Sequence, residues 1–180
     1  MKERFPLVRF GPQLWTRDLA RKIRTDISAL LEKLQAGDEL AIDAKGVEVF
    51  DYSFANELFG KTILSLASEY AGRFVVIEHL TPYAHENLQK ALESLGLQMI
   101  ERRGTALRLL GKVHPADQAT FDALRNTKTP TSAATLATVL GVNLTAMNER
   151  LTKLTSMGVI RREKAVSPAG RELYEYRLLS

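Results

Sequence analysis

The sequence predicts an α/β fold over residues 1–112, followed by a small domain of three helices and a β-hairpin over residues 113–180. In the first part, short apolar runs alternate with longer segments whose apolar residues recur every three or four positions, which is typical of alternating strands and helices. In the second part, Gly141 separates two helical patterns. The connection over residues 111–115 contains glycine and proline and is too short to act as a long flexible tether.

The first part is predicted to alternate strands with three helices. One helix lies between Thr81 and Gly96, because Thr81 and Pro82 are typical of a helix start and Gly96 of a helix end. The other two helices have their apolar residues along one side. The predicted strands and extended segments cover residues 5–10, 40–43, 47–50, 74–77, 99–100 and 106–110, and the other helices cover residues 17–35 and 53–70.

Two parts of this pattern indicate how the sheet is built. Residues 74–77 form an unbroken apolar run, which predicts a strand that is covered on both faces. Residues 99–100 and 106–110 flank Gly104 and predict a hairpin at the edge of the sheet. The expected result is a sheet with helices packed on it.

The second part contains a helix, a tight turn and another helix. Gly141 is expected to end the first helix in a left-handed conformation, and Asn143 is expected to cap the next one. Met147, Leu151 and Leu154 recur at helical spacing and are predicted to be core residues, as is Met157. The predicted helices cover residues 116–125, 132–140 and 143–157, and a hairpin runs from residues 159–163 to 173–178, with Ser167, Pro168 and Gly170 at its tip.

These elements, in this order, resemble the winged helix-turn-helix domains of bacterial transcriptional regulators over residues 116–178. The resemblance implies that residues 143–157 form a recognition helix for the major groove of duplex DNA. It also implies a homodimer, since a single winged helix reads few base pairs. The residues expected to face bases are Thr145, Asn148, Glu149 and Thr152, and those expected to hold phosphates are Arg150, Lys153, Arg161, Arg162, Lys164 and Arg171.

The distribution of charge favours this interpretation. Residues 113–180 contain nine Lys and Arg against six Asp and Glu, and the excess clusters on the hairpin. Glu149 has the opposite effect, because its carboxylate repels phosphates unless it accepts from a cytosine amino group. Winged helices also serve as protein-docking or dimerisation modules, so this alternative stays open.

The segment from residue 40 to residue 55 resembles the core of a STAS-like domain, the fold of sulfate-transporter tails and anti-sigma-factor antagonists. Residues 53–58, with residues 17–21 upstream, more closely resemble a STAS-like family of unknown function. The resemblance implies that Asp51 and Ser53 correspond to the Asp and the phosphorylatable Ser of the antagonists, and that this part docks an ATPase or kinase. The alternative, which we favour, is that Ser53 simply caps its helix.

Composition excludes several classes of function. The chain has no cysteine, which rules out disulfides, thiol catalysis and zinc fingers. No apolar run approaches the roughly 18 residues of a membrane span, and the start of the chain does not resemble a signal peptide, so we expect a cytoplasmic protein without membrane contact.

An enzymatic function is not favoured by the sequence. Four carboxylates near one loop region, Asp43, Glu48, Asp51 and Glu57, could in principle hold magnesium or act as bases. No glycine-rich phosphate loop, Ser-His-Asp order or clustered histidines accompany them. We therefore predict solvated acids, no cofactor, no metal and no enzyme. The prediction is a DNA-binding transcriptional regulator, and the alternative is an interaction scaffold without DNA binding, switched by phosphorylation at Ser53.

Overall fold

A five-stranded mixed sheet forms the centre of the protein in its computed structural model, which describes residues 1–127, 129–167 and 169–179. Its strands lie in the order β1-β3-β5-β6-β7; the first four run parallel and β7 is antiparallel to β6 at the edge. A separate parallel pair joins β2 to β4. The strands are β1 (Lys2–Pro6), β2 (Gln13–Leu14), β3 (Glu39–Asp43), β4 (Val49–Phe50), β5 (Phe74–Glu78), β6 (Gln98–Arg103) and β7 (Ala106–Gly111).

The helices that connect the parallel strands all pack on one face of the sheet. Each joins a strand to its parallel neighbour, and right-handed crossovers between successive neighbours put every helix on the same side. The alternate residues Leu40 and Ile42 of β3 and Ile77 of β5 lie in one apolar cluster with these helices. The helices are α1 (Arg17–Lys33), α2 (Tyr52–Ala55), which continues through a π-helical turn (Asn56–Gly60) into α3 (Lys61–Ser68), and α4 (Pro82–Leu95).

The opposite face of the sheet is covered by the C-terminal module, the name used here for residues 113–179 as far as they are described. Ala41, Val76 and Ile100 of the sheet share a second apolar cluster with Phe121, Leu154 and other residues of this module. The prediction that residues 74–77 are covered on both faces is thus confirmed. The module consists of α5 (Pro115–Asn126), β8 (Thr131–Ser132), α6 (Ala133–Leu140), α7 (Leu144–Ser156), β9 (Arg161–Val166) and β10 (Glu172–Arg177).

Backbone contact accompanies this apolar packing. The thioether of Met157, just after α7, accepts a hydrogen bond from the backbone N–H of Gln98 in β6 at 3.3 Å. Gly158 has a φ of 67°, and a Cβ there would lie 3.3 Å from the carbonyl oxygen of Arg73. A larger residue at position 158 would therefore be strained and would push the module away from the sheet.

Two predicted elements differ from the structure. The first strand covers Lys2–Pro6 instead of residues 5–10, because pairing with β3 ends where Pro6 meets Asp43; Leu7–Phe10 is a 3-10 turn. The predicted helix over residues 53–70 is interrupted by the π-helical turn, whose looser winding the apolar spacing does not reveal. The predicted hairpin around Gly104, the three-helix pattern of the module and the cap at Thr81 are confirmed. Pro168, expected at the tip of the second hairpin, lies outside the described residues.

Replacing Ile100 by alanine should lower the free energy of unfolding by about 2–5 kcal/mol, because its side chain is fully buried between the sheet and the module. Urea unfolding followed by far-UV circular dichroism measures the change. The control is Val139→Ala in α6, where 67% of the residue is exposed and the effect should stay within about 0.5 kcal/mol. An Ile100→Ala effect as small as the control would show that the sheet face is not buried.

Candidate nucleic-acid interface

The turn between α6 and α7 is built by local interactions. Gly141 takes the left-handed conformation, with φ 63° and ψ 34°. Asn143 then starts α7, its side-chain oxygen accepting from the backbone N–H of Ala146 at 2.8 Å. Met147, Leu151 and Leu154 are fully buried, whereas Met157 is half-buried. The predicted turn, cap and inward face of α7 are therefore confirmed, and they fix which face of the helix points outward.

The outward face of α7 is polar, and the part of the chain that the structure describes leaves it uncovered. Thr145, Asn148, Glu149 and Thr152 are all exposed. Within the described ranges, their side chains form no hydrogen bond or ion pair. We call these four residues the polar face of α7. Their donors and acceptors are consequently available to a ligand outside the chain.

Two of the six predicted phosphate contacts are engaged within the protein. The Lys153 ammonium lies 2.6 Å from a carboxylate oxygen of Asp117. Arg161 donates to the carbonyl oxygen of Gly37 at 2.5 Å, and its guanidinium lies 4.6 Å from the centre of the Phe74 ring. Burial lowers the pKa of Arg161 from its ordinary value. Arg161 joins the module to the α/β part, whereas Lys153 joins α7 to α5 within the module. Sequence spacing could not reveal either contact.

The other four cations have no carboxylate partner in the part of the chain that the structure describes. Lys164 and Arg171 are exposed, and Arg150 is half-buried. Arg162 is also exposed, with its guanidinium 4.6 Å from the centre of the Tyr174 ring. These four residues leave positive charge on α7 and on the β9–β10 hairpin that is free to pair with an external anion.

A buried carboxylate that sequence reasoning missed holds α7 against the sheet. Asp117 in α5 is only 3% exposed, and one of its oxygens accepts from both Lys153 and the Gln98 amide, each at 2.6 Å. Gln98 also donates to the carbonyl oxygen of Lys112 at 2.8 Å. This network joins β6, α5 and α7. In the sequence, Asp117 has only the signature of an acid in the first turn of a helix.

The structure corrects the interpretation of Ser53 as a helix cap. Asp51 caps α2 instead, its carboxylate accepting from the backbone N–H of Phe54 at 2.6 Å. Ser53 lies one residue inside the helix, is half-buried, and has no side-chain hydrogen bond to any described residue. Because the Asp51 carboxylate caps the backbone N–H of Phe54, the helix begins at Tyr52, one residue before Ser53.

The four carboxylates considered as a catalytic group have separate partners. Asp43 contacts Arg4 and His79, Glu48 contacts Gln13, and Glu57 contacts Arg24. Burial alone would raise the pKa of Asp43, but hydrogen bonds from Lys45, His79 and Arg4 together hold it below its usual value. Over residues 1–127, 129–167 and 169–179, the carboxylates and histidines form no group suited to a metal ion. Nor does any helix in these ranges have the length and apolar character to cross a bilayer.

Comparison with known proteins gives little further identification. No protein-family model matches the chain, and no curated protein matches it. One solved structure that resembles it is described as a possible transcriptional regulator from Methanosarcina mazei Go1, with 16% sequence identity and a TM-score of 0.35. The match covers 38% of this chain and 57% of that one.

Substituting Asp117 by asparagine should lower the free energy of unfolding by about 1–3 kcal/mol, because Lys153 loses its anion and the new amide faces two donors. Urea unfolding measures the loss. Asp122→Asn on the same helix is the matched control; its ion pair with Arg125 is substantially exposed, so we expect a change of at most about 1 kcal/mol. Equal effects of the two variants would contradict the role given to Asp117.

Proposed function

We propose that this protein is a DNA-binding transcriptional regulator in which residues 116–178 act as a winged helix-turn-helix domain. One observation carries the proposal: α7 fully buries Met147, Leu151 and Leu154, while its polar face is exposed and forms no hydrogen bond within the described chain. A helix with exposed small and polar side chains next to uncompensated cations suits the major groove.

In this proposal the polar face of α7 reads base edges. Asn148 can pair with adenine through its amide, and Glu149 can accept from a cytosine amino group. Thr145 and Thr152 contribute hydroxyl and methyl contacts. Arg150, Arg162, Lys164 and Arg171 hold the phosphate backbone, since their cations have no internal carboxylate partner among the described residues. Lys153 and Arg161 support the position of α7 instead.

The remainder of the chain has a regulatory role in this proposal. Residues 1–112 act as a STAS-like domain that recognises a signal or a protein partner and catalyses no reaction. A homodimer presents two α7 helices to DNA, which enlarges the sequence that can be read. The competing function is an interaction scaffold without DNA binding, and the same experiment separates the two.

Replacing Lys164 and Arg171 together by glutamine should weaken binding to random duplex DNA and reduce the slope of log affinity against log salt by about 0.9 per lost phosphate contact. Fluorescence anisotropy over a salt series measures the slope. The matched control replaces Arg17 and Lys22 by glutamine; both are exposed on α1, which packs on the other face of the sheet.

The control has the same change of net charge and should keep the original slope. An equal effect of both double variants would show that the binding is a general charge effect and not a contact of the hairpin. Absence of binding by the unmodified protein at low salt would refute DNA recognition and favour the scaffold.

A further inference from the structure

A cleft of about 440 Å³ lies where the C-terminal module meets the α/β part of the chain. One wall comes from the last turn of α7, with Thr152 and Thr155, and from the start of β9, with Arg161. The opposite wall comes from Gly37 before β3 and from Ala67 of α3 and its following loop. The volume falls in the range of small-molecule sites in proteins, about 300–1,000 Å³.

The cleft contains two arginines that have no carboxylate partner among the described residues. Arg161 and Arg162 both line it, and neither forms an ion pair in the described parts of the chain. One carboxylate, Glu163, also lines the cleft, but it pairs with Arg177; nearby, Asp38 pairs with the Met1 amino group and Glu39 with Arg102. The half-buried Arg161 guanidinium donates to one carbonyl oxygen among the described residues, so its other N–H groups can still bind an anion.

A buried hydroxyl in the same wall also lacks a partner. The Oγ1 atom of Thr155 is buried, yet it forms no hydrogen bond within the described residues. The buried threonines Thr62 and Thr120 behave differently, because each donates to the carbonyl oxygen four residues earlier, at 2.6 and 2.9 Å. An unpaired buried hydroxyl costs free energy. As it stands this hydroxyl is covered, so it meets a ligand in the cleft only after rotation about the Cα–Cβ bond of Thr155, which lines the cleft.

We propose that this cleft binds a small organic carboxylate with an apolar body. The carboxylate pairs with Arg161 and accepts from the Thr155 hydroxyl once that side chain has rotated toward the cleft, while the apolar body packs against the small and apolar side chains of the opposite wall, including Leu66, Ala67 and Ala71. The Arg161 guanidinium selects a negative charge, and the apolar lining selects a ligand larger than a simple ion.

Binding here would change DNA affinity, a consequence that rests on the proposed function. Thr152 and Arg162 line the cleft and also belong to the proposed DNA-contacting surface. A ligand in the cleft therefore contacts two of the residues that are proposed to meet DNA. Carboxylate binding in the cleft requires no DNA, so it can be disproved without disproving DNA binding, and the reverse is also true.

The test is a nuclear magnetic resonance titration of the full ¹⁵N-labelled chain without DNA, using sodium benzoate as probe. Benzoate should shift the amides of Gly37, Gly72, Thr155 and Arg161. Benzamide, which has no charge, and acetate, which has no apolar body, should shift them far less. If inorganic phosphate binds as tightly as benzoate, the proposal is overturned, and the cleft is instead a binding site for a phosphate group of DNA.

Two variants test the hydroxyl and the apolar wall of the cleft separately. Thr155→Val removes the unpaired hydroxyl, so it should leave the protein as stable as before while weakening benzoate binding roughly three- to tenfold, the effect of one hydrogen bond. Ala67→Leu should weaken binding by filling the cleft, whereas the control Ala29→Leu, exposed on α1, should not. Unchanged benzoate affinity in both Thr155→Val and Ala67→Leu would overturn the site.

A second measurement repeats the DNA salt series with and without saturating benzoate. A changed affinity supports coupling between cleft and DNA surface. Benzoate binding without any change in DNA affinity would overturn the coupling and leave the carboxylate site intact, and absence of DNA binding both with and without benzoate would refute the proposed function alone.

Discussion

Burial of the second face of the sheet is the constraint on which the rest of the structure depends. The connecting helices α1 to α4 lie on one face, so Ala41, Val76 and Ile100 on the other face need a different cover. The C-terminal module provides it. Because Phe121 and Leu154 of the module belong to the same apolar cluster as those strand residues, the module and the sheet stabilise each other.

This burial also determines what the module can offer to a partner. Asp117, Gln98 and Lys153 tie α7 to the sheet, so the side of α7 opposite its core residues faces outward. Lys153 and Arg161 bind groups within the protein, which leaves the four remaining cations for the phosphates of DNA in the proposed function. The same docking leaves a cleft beside the last turn of α7. The proposed DNA surface and the proposed ligand site thus follow from a single packing arrangement.

Sequence patterns predicted the features that depend on local interactions. Residues close together in the sequence determine the turn at Gly141, the cap at Asn143 and the buried stripe of α7. The apolar run at residues 74–77 likewise predicted a strand buried on both faces of the sheet. Features that depend on distant residues were missed. Nothing near Arg161 in the sequence indicates that Gly37 and Phe74 hold it, and the buried role of Asp117 requires Gln98 and Lys153.

The most direct test of this account is the distance between the module and the helices of the opposite sheet face. Because the chain has no cysteine, Ala29→Cys on α1 and Ala119→Cys on α5, both exposed, allow specific spin labelling. Pulsed dipolar electron paramagnetic resonance should then give one narrow distance distribution. A broad or bimodal distribution in the folded protein would contradict a module fixed on the sheet by burial of a shared apolar face.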